Sequence, residues 1–161
     1  MNIFYLHENP MLCAQMHCDS HVVKMILETA QILSTAIRLR GQEFGYKITH
    51  RGHPCVQWVL RSKENFLWLR QLGIALCEEY TYRYGKQHKS FDIIKESIRF
   101  ASYFLKRPIT KRPQCMPSIY HDNDCQTAYH NYYLGEKTYL LKYTKRNVPD
   151  WIESVGLGVH K

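Results

Sequence analysis

The sequence predicts an all-α fold: a single compact domain of about four main helices with a short extended N-terminal arm. Apolar side chains recur every three to four residues over long stretches, which is the spacing of a buried helix face. Residues that start or stop helices, namely serine, aspartate, glycine and proline, stand at the borders of those stretches. A chain of 161 residues can bury a core of its own, so we expect one domain over residues 1–161.

The chain begins with the predicted arm, residues 1–10. Residues 2–6 form a short apolar run of strand-like composition, and a turn follows at Pro10. Because a single strand without a partner does not make a sheet, we expect this run to lie extended against helices. The first long helix is predicted over residues 11–40, since Gly41 suits the C-terminus of a helix.

The predicted first helix has an apolar face and, opposite to it, a stripe of chemically active side chains. With a turn of about 100° per residue, the core face carries Leu12, Val22, Val23, Ile26, Ala30, Leu33 and Ile37. The stripe carries Cys13, His17, His21, Lys24, Glu28, Gln31 and Thr35. Imidazoles, an amine and a carboxylate on one wall indicate a site, and the candidate catalytic residues are Glu28, Lys24, His21 and His17. The alternative is an ordinary polar face whose histidines cap neighbouring elements.

Basic residues lie on both sides of the second predicted helix, residues 55–84. Pro54 suits the first turn of this helix, where free backbone N–H groups favour anions. The candidate phosphate-binding residues are Thr49, His50, Arg51 and His53 before the helix, and Arg83, Lys86 and His88 at its end. Alternatively, the first group caps its own helix, and Arg83 and Lys86 pair with Glu79. We expect a kink or break near residues 61–64 and an end at Gly85.

Two further capping positions predict the remaining helices. Ser90 is the expected N-cap of a third helix, which ends before Pro108. Its apolar series consists of Ile94, Ile98 and Phe104. The fourth helix is predicted over residues 126–142, with its N-cap among residues 122–124, and residues 154–161 are expected to form a frayed tail.

The composition favours an acidic partner. A formal charge of +8, from 22 basic and 14 acidic residues, attracts polyanions, so we expect DNA or a nucleotide as the partner. No stretch approaches the roughly 18 uncharged apolar residues that a membrane span needs, so no membrane partner is expected. The six cysteines show no C-x-x-C spacing, and the first residues lack the pattern of a leader. We therefore expect a cytoplasmic location, the host cell cytoplasm if the protein is viral; the oligomeric state stays open.

The side chains of the stripe are compatible with three kinds of chemistry. Cys13, His17 and His21 can face one metal ion, but a regular helix supplies three ligands with difficulty, so we expect no metal and no cofactor. An amine, from Lys24 or from the α-amino group, can instead form a Schiff base with a sugar while Glu28 assists, as in base excision. The third chemistry is phosphate binding without turnover, in which Glu28 is useful only if it orients a histidine or contacts a base or ribose.

Short sequence motifs distributed over the chain resemble those of known proteins. They are HCDSHVVKMILE at residues 17–28 and EYTYRYGK at residues 79–86, together with smaller motifs at residues 46–54 and 132–137. These motifs resemble a widespread family of small proteins found in phages and other large DNA viruses. They occur in order over almost the whole chain, so the resemblance is specific at the level of the family. Because that family is largely uncharacterised, the resemblance indicates a setting more than a reaction.

The order of elements resembles a second family. A site-bearing amphipathic helix, a Tyr-Lys-Ile segment at residues 46–48 and a long helix are similar to the pyrimidine-dimer DNA glycosylase family of phage, known as endonuclease V. This resemblance implies an all-helical fold, an N-terminal amine nucleophile and a glutamate on the first helix. Glu28 matches that glutamate by role, although His21 fits the same aligned place. That family begins with a small threonine after processing, whereas Asn2 predicts that Met1 is retained.

The leading hypothesis is therefore a viral base-excision enzyme of the DNA glycosylase and lyase type, which uses an amine and a carboxylate. The alternative is a non-catalytic viral binding protein that captures a phosphorylated nucleotide.

Overall fold

The structure is a computed structural model that describes residues 1–156. Within that range its regular structure consists of helices without strands, which confirms the predicted all-α class. The α-helices are α1 (Pro10–Met16), α2 (Asp19–Leu39), α3 (Pro54–Arg61), α4 (Lys63–Tyr84), α5 (Phe91–Glu96), α6 (Cys125–Glu136) and α7 (Asp150–Glu153). Short 3-10 helices cover Ser97–Tyr103, Ser118–Tyr120 and Thr138–Leu140. A membrane-crossing helix is not found among the described residues, since none combines the necessary length and hydrophobicity.

The two long helices, α2 and α4, pack against each other at the centre of the fold. Leu33 and Ile37 of α2 and Leu69 of α4 are completely buried, and each stabilises the fold by about 1.5–3 kcal/mol. A Cβ atom at Gly73 would lie only 2.9 Å from the Cγ2 atom of Thr29. The glycine therefore allows the close approach of α4 to α2.

The predicted helix over residues 11–40 is interrupted, which corrects the sequence prediction. His17 and Cys18 adopt extended backbone angles between α1 and α2. The His17 imidazole donates to the carbonyl oxygen of Cys13 at 2.7 Å, an acceptor that a continuing helix would use for its own backbone. Because the helical register changes at this break, Cys13 and His17 are separated from the rest of the predicted stripe, which lies on α2 from His21 onwards. Leu12 and Val23, both predicted to face the core, are 39% and 40% exposed.

A segment distant in sequence holds the N-terminus of α2. The backbone N–H of Asp19 donates to the carbonyl oxygen of Lys142 at 2.8 Å. The Asp19 carboxylate accepts the Thr144 amide at 2.9 Å and the Thr144 hydroxyl at 2.6 Å. The sequence predicts a helix up to residue 142, but α6 ends at Glu136, and residues 142–144 bond to the start of α2 instead. The predicted N-cap of α6 is present, because the Asp124 side chain accepts the N–H of Thr127.

The break expected near residues 61–64 is present at Ser62. Its φ of −155° is extended, and its hydroxyl accepts the N–H of Asn65 at 3.0 Å as the N-cap of α4. Helix α4 ends at Gly85, which has a left-handed φ of 71° as expected for this cap. Helix α5 also begins after Ser90 as predicted, but it tightens into a 3-10 helix from Ser97, and Ile98 is 45% exposed instead of buried.

The N-terminal arm packs into the fold in an extended form, as predicted. Ile3, Phe4, Tyr5 and Leu6 are all buried. The rings of Phe4 and Tyr132 stack with their centroids 6.0 Å apart, and the backbone carbonyl of Leu6 accepts a hydrogen bond from His130 at 2.8 Å. The predicted frayed tail at residues 154–161 lies mostly outside the described residues, which end at residue 156.

Arg83 is buried near the end of α4 instead of facing solvent. Its guanidinium donates to the Asp19 carboxylate at 2.9 Å and to the carbonyl oxygen of Gln15 at 3.0 Å, and it lies 3.6 Å from the Glu79 carboxylate. Arg146 pairs with the same glutamate at 2.9 Å. This cluster joins α4 to the break between α1 and α2, and it agrees with the alternative interpretation that Arg83 pairs with Glu79.

We expect Arg83→Ala to lower the free energy of unfolding by about 3–5 kcal/mol, because it leaves the Asp19 carboxylate without its cation in a mostly buried place. Urea denaturation followed by circular dichroism measures this loss. Lys86→Ala, at an exposed position one turn further on, is the control and should change stability by no more than about 0.5 kcal/mol. Equal stabilities of both variants would contradict the structural role of Arg83.

Candidate active site

The N-terminal amine and the Glu28 carboxylate form an ion pair inside the fold. The amine nitrogen of Met1 lies 3.1 Å from Oε1 of Glu28, and the two side chains are only 3% and 10% exposed. The second carboxylate oxygen, Oε2, is buried and has no hydrogen-bond partner among the described residues. A buried oxygen without a partner is costly, so it is available to a substrate atom or a water molecule.

Asn2 positions this amine by bonding to a loop and to α6. Its side-chain amide donates to the carbonyl oxygen of Cys115 at 2.9 Å. Its side-chain oxygen accepts the hydroxyl of Tyr129 at 2.8 Å, and the same hydroxyl accepts the backbone N–H of Cys115 at 3.2 Å. The side chain of residue 2 is therefore fixed on both its donor and its acceptor side, which orders the residue next to the amine.

His53 connects the loop before α3 with the N-terminus. Its Nδ1 accepts the backbone N–H of Cys55 at 3.1 Å as the N-cap of α3, and the ring lies close enough to Met1 for the N-terminal charge to act on it. Partial burial lowers the pKa of His53, and the positive charge of the nearby N-terminal amine lowers it further. The ring is therefore neutral near pH 7.

Two cysteines adjoin the same region. The Sγ atoms of Cys55 and Cys115 lie 3.7 Å apart, and both thiols are free. The two thiols share a hydrogen bond, which lowers the pKa of Cys115 and raises that of Cys55. The pair lies near the N-terminus, since the carbonyl oxygen of Cys115 accepts the Asn2 amide at 2.9 Å, and the charge of the N-terminal amine lowers the pKa of both thiols.

The two histidines of the predicted stripe are interior residues. His17 is completely buried, and His21 hydrogen-bonds through Nδ1 to the Tyr133 hydroxyl at 2.7 Å and packs on the Phe4 ring at 4.4 Å. Burial lowers the pKa of His17 to about 4 and that of His21 to about 3. Both are neutral packing residues beneath the arm, and the structure does not place them on an open surface with Glu28.

Other predicted site residues lie at the surface. Lys24 is exposed and forms no ion pair among the described residues, so it does not join Glu28. His50 and Arg51 are exposed in the loop before α3. The hydroxyl of Thr49 contacts His50 Nδ1 at 2.7 Å, while the Thr49 backbone is bonded to Thr35. Within this loop, His53 reaches the N-terminus.

The predicted residues at the end of α4 form a separate group. Lys86 is exposed, and its carbonyl oxygen accepts the Thr81 hydroxyl at 3.1 Å. The ring of His88 is half-buried against Tyr80, and its Nδ1 accepts the N–H of Ser90 at 3.1 Å. In residues 1–156, no hydrogen bond or ion pair connects Lys86, His88 or the buried Arg83 with the N-terminus.

The sequence analysis did not identify Asn2, Cys55 or Cys115 as parts of this site. Asn2 and Cys115 are 113 positions apart, and Cys55 and Cys115 are 60 apart, so spacing gave no signal. The indication that was available is the sequence His53-Pro54-Cys55, which places an imidazole and a thiol at the same helix N-terminus.

A family model described as pyrimidine dimer DNA glycosylase matches residues 1–92 of the chain. The matched range contains Met1, Glu28 and His53, whereas Cys115 lies beyond it. Curated proteins and solved structures gave no match.

We expect the fold to lose stability in acid because of His17 and His21. Unfolded histidines bind a proton with a pKa near 6.5, but the folded chain binds it only near 4 and 3. The unfolded state therefore holds more protons below pH 6.5, and the free energy of unfolding should fall by about 1.4 kcal/mol per pH unit for each histidine. Urea denaturation between about pH 7 and pH 4 measures this slope.

The matched variants are His21→Gln and, at a less buried position of the arm, His7→Gln. The first should reduce the pH slope and the second should leave it unchanged. A His21→Gln protein with the slope of the parent would contradict the assignment of a neutral buried imidazole.

Proposed function

The chain belongs to the pyrimidine dimer DNA glycosylase family, and from that premise we propose that it excises damaged bases from DNA. The nucleophile in this proposal is the N-terminal amine of Met1, and Glu28 is its carboxylate partner. The proposal also includes cleavage of the strand by the same covalent intermediate, which is a lyase reaction.

The observation that carries the proposal is the buried contact of 3.1 Å between the amine and Oε1 of Glu28. An α-amine at a chain end is ordinarily solvated and mobile. Here it is held at a fixed place beside a carboxylate that can accept its proton. Once deprotonated, the amine has a lone pair with which it can attack carbon.

The reaction begins at C1′ of the damaged nucleotide. The amine nitrogen donates its lone pair to C1′, the C1′–N bond to the base breaks, and the base leaves with that electron pair and gains a proton. The nitrogen then loses a proton, its lone pair forms the C1′=N bond, and the C1′–O4′ bond breaks with its electron pair and a proton going to O4′. The ring is thereby opened, and a protonated imine joins Met1 to C1′. Loss of a proton from C2′ then expels the 3′ phosphate and cleaves the strand.

Glu28 is suited to the proton transfers of this sequence. Oε1 faces the amine and can take its proton, while the unpartnered Oε2 is free to stabilise positive charge that develops on the sugar. A carboxylate in this position can accept a proton during base excision, whereas a site that only binds an anion does not need a carboxylate. The charge of Glu28 therefore favours excision over capture of a nucleotide.

DNA is the partner that this proposal requires. The chain carries a formal charge of +8, and Arg51 is exposed two positions before His53, which lies near Met1. We propose that Thr49, His50 and Arg51 contact phosphates that flank the damaged nucleotide. Basic residues there would steer the strand towards the amine.

We expect the protein to form a covalent adduct with ultraviolet-irradiated or abasic DNA when borohydride is present, because borohydride reduces the imine to a stable amine. Proteolysis and mass spectrometry should locate the adduct on the peptide that begins with Met1. Lys24→Ala, the control for the other candidate amine, should form the adduct at the parent rate. An adduct on Lys24, or none at all with tight nucleotide binding, would overturn the proposal.

Glu28→Gln should slow base release by about a hundredfold or more, since the amide can neither accept the proton nor stabilise the cationic sugar. Strand cleavage at the dimer in an irradiated oligonucleotide, measured after alkali treatment of the abasic sugar, gives the rate. The matched control is Glu78→Gln at an exposed position of α4, which should act like the parent. Full activity of folded Glu28→Gln would rule out the assigned role.

Arg51→Ala should weaken DNA binding to a similar extent for all sequences. The salt dependence should also fall, with a slope of log K against log salt lower by about 1 for one lost phosphate contact. Fluorescence anisotropy at several salt concentrations measures both. Lys95→Ala, an exposed cation on α5, is the comparison and should leave the slope unchanged. If both variants change the slope equally, Arg51 has no special place in the interface.

A further inference from the structure

We propose that His53, Cys55 and Cys115 bind a zinc ion beside the N-terminus. One ring nitrogen of His53 and the two sulfur atoms all lie within 4.8 Å of one another. The three residues come from two separate parts of the chain, since His53 and Cys55 start α3 and Cys115 lies in the loop before α6. This site is distinct from the set Cys13, His17 and His21, and it goes beyond the sequence expectation of no metal.

The distance between the sulfur atoms matches tetrahedral zinc. A zinc–sulfur bond measures about 2.3 Å, so two thiolates on one tetrahedral ion stand about 3.8 Å apart. The observed separation of Cys55 and Cys115 is 3.7 Å. A disulfide would require about 2.05 Å and a large movement of both sulfurs. An ion can therefore enter between the two without a change of their spacing.

The tautomer of His53 suits metal coordination. Its Nδ1 carries a lone pair, because it accepts the N–H of Cys55. In the neutral ring the proton is then on Nε2, on the side opposite to the lone pair of Nδ1. Histidine ligands in metal sites typically donate the N–H of their second nitrogen to a nearby acceptor, which fixes the ring. Coordination at Nδ1 replaces one capping bond at the start of α3.

The donor set selects the class of ion. Two thiolates and one imidazole favour zinc over magnesium or calcium, which prefer oxygen ligands. Three protein ligands leave the fourth position of a tetrahedral ion open. Cys55 is fully buried, but His53 and Cys115 are partly exposed, which leaves an entry path from solvent.

Such an ion would join the loop that carries Cys115 to the start of α3. The carbonyl oxygen of Cys115 holds the side chain of Asn2, and the His53 ring lies near Met1. Zinc would therefore fix the Cys115 loop, which holds Asn2, and the His53 ring, which lies beside Met1. This role is independent of the proposed excision reaction, since it needs only the three ligands.

Metal binding can be tested directly on the full chain. The purified protein is reduced, stripped with a chelator and titrated with Co²⁺, whose visible absorption is strong only in tetrahedral sites, and then with Zn²⁺, which should displace it. We expect one equivalent of metal and thiolate charge-transfer bands. Cys115→Ser and His53→Asn should lose both, and the asparagine keeps an oxygen that can cap α3. Cys77→Ala, a buried thiol in α4, is the control and should bind as the parent does.

Thermal unfolding gives a second readout. Zinc should raise the melting temperature of the parent and of Cys77→Ala, but not that of Cys115→Ser or His53→Asn, since only a native site gains from the ion. Absence of binding by the parent, unchanged binding in either ligand variant, or a Cys55–Cys115 disulfide in the reduced titrated sample would overturn the proposal. None of these measurements involves DNA, so their failure would leave base excision untouched.

Discussion

Burial of the N-terminal arm is the constraint on which the candidate site depends. The first residues of a domain are ordinarily disordered unless contacts hold them. Here the run from Ile3 to Leu6 is buried on both of its faces, with Phe4 against His21 on one side and Tyr5 against Trp68 on the other. Its apolar contacts offset the entropy lost on ordering the chain end. The amine then has a defined position, without which its contact with Glu28 would not exist.

The break between α1 and α2 also helps to hold the N-terminal arm, since it places the His17 ring against Phe4. A continuous helix would have carried His17 and His21 along one wall with Glu28. The break separates His17 from that wall, whereas His21 and Glu28 both remain on α2, where His21 packs on Phe4 of the arm and Glu28 contacts the amine. The break buries polar groups at the junction, among them Asp19 and Arg83, which is unfavourable because they lose water. The hydrogen bond between these two side chains offsets that loss. Packing and chemistry are thus divided between residues that the sequence places in one stripe.

The features that could be predicted are those that depend on neighbours in sequence. The helical class, the break at Ser62 and the end of α4 at Gly85 follow from periodicity and capping residues. Glu28 could be named as a candidate because a single carboxylate among histidines is unusual, and its role stays a prediction. The break after Met16 could not, since the Lys142 carbonyl that receives the first amide of α2 lies far along the chain. For the same reason the contacts of Cys115 with Asn2 and Cys55 could not be predicted from the sequence, because these residues lie far apart along the chain.

Asn2 illustrates how evolution is constrained by a side chain that must do two things. Its amide N–H donates a hydrogen bond to the Cys115 carbonyl, and its amide oxygen accepts one from the Tyr129 hydroxyl. Aspartate has the right size but would direct an oxygen at the Cys115 carbonyl, and alanine would remove both hydrogen bonds and leave the Tyr129 hydroxyl with the Pro113 carbonyl as its acceptor. A substitution at position 2 therefore changes the hydrogen bonding of position 129, so we expect these two sites to vary together across homologues.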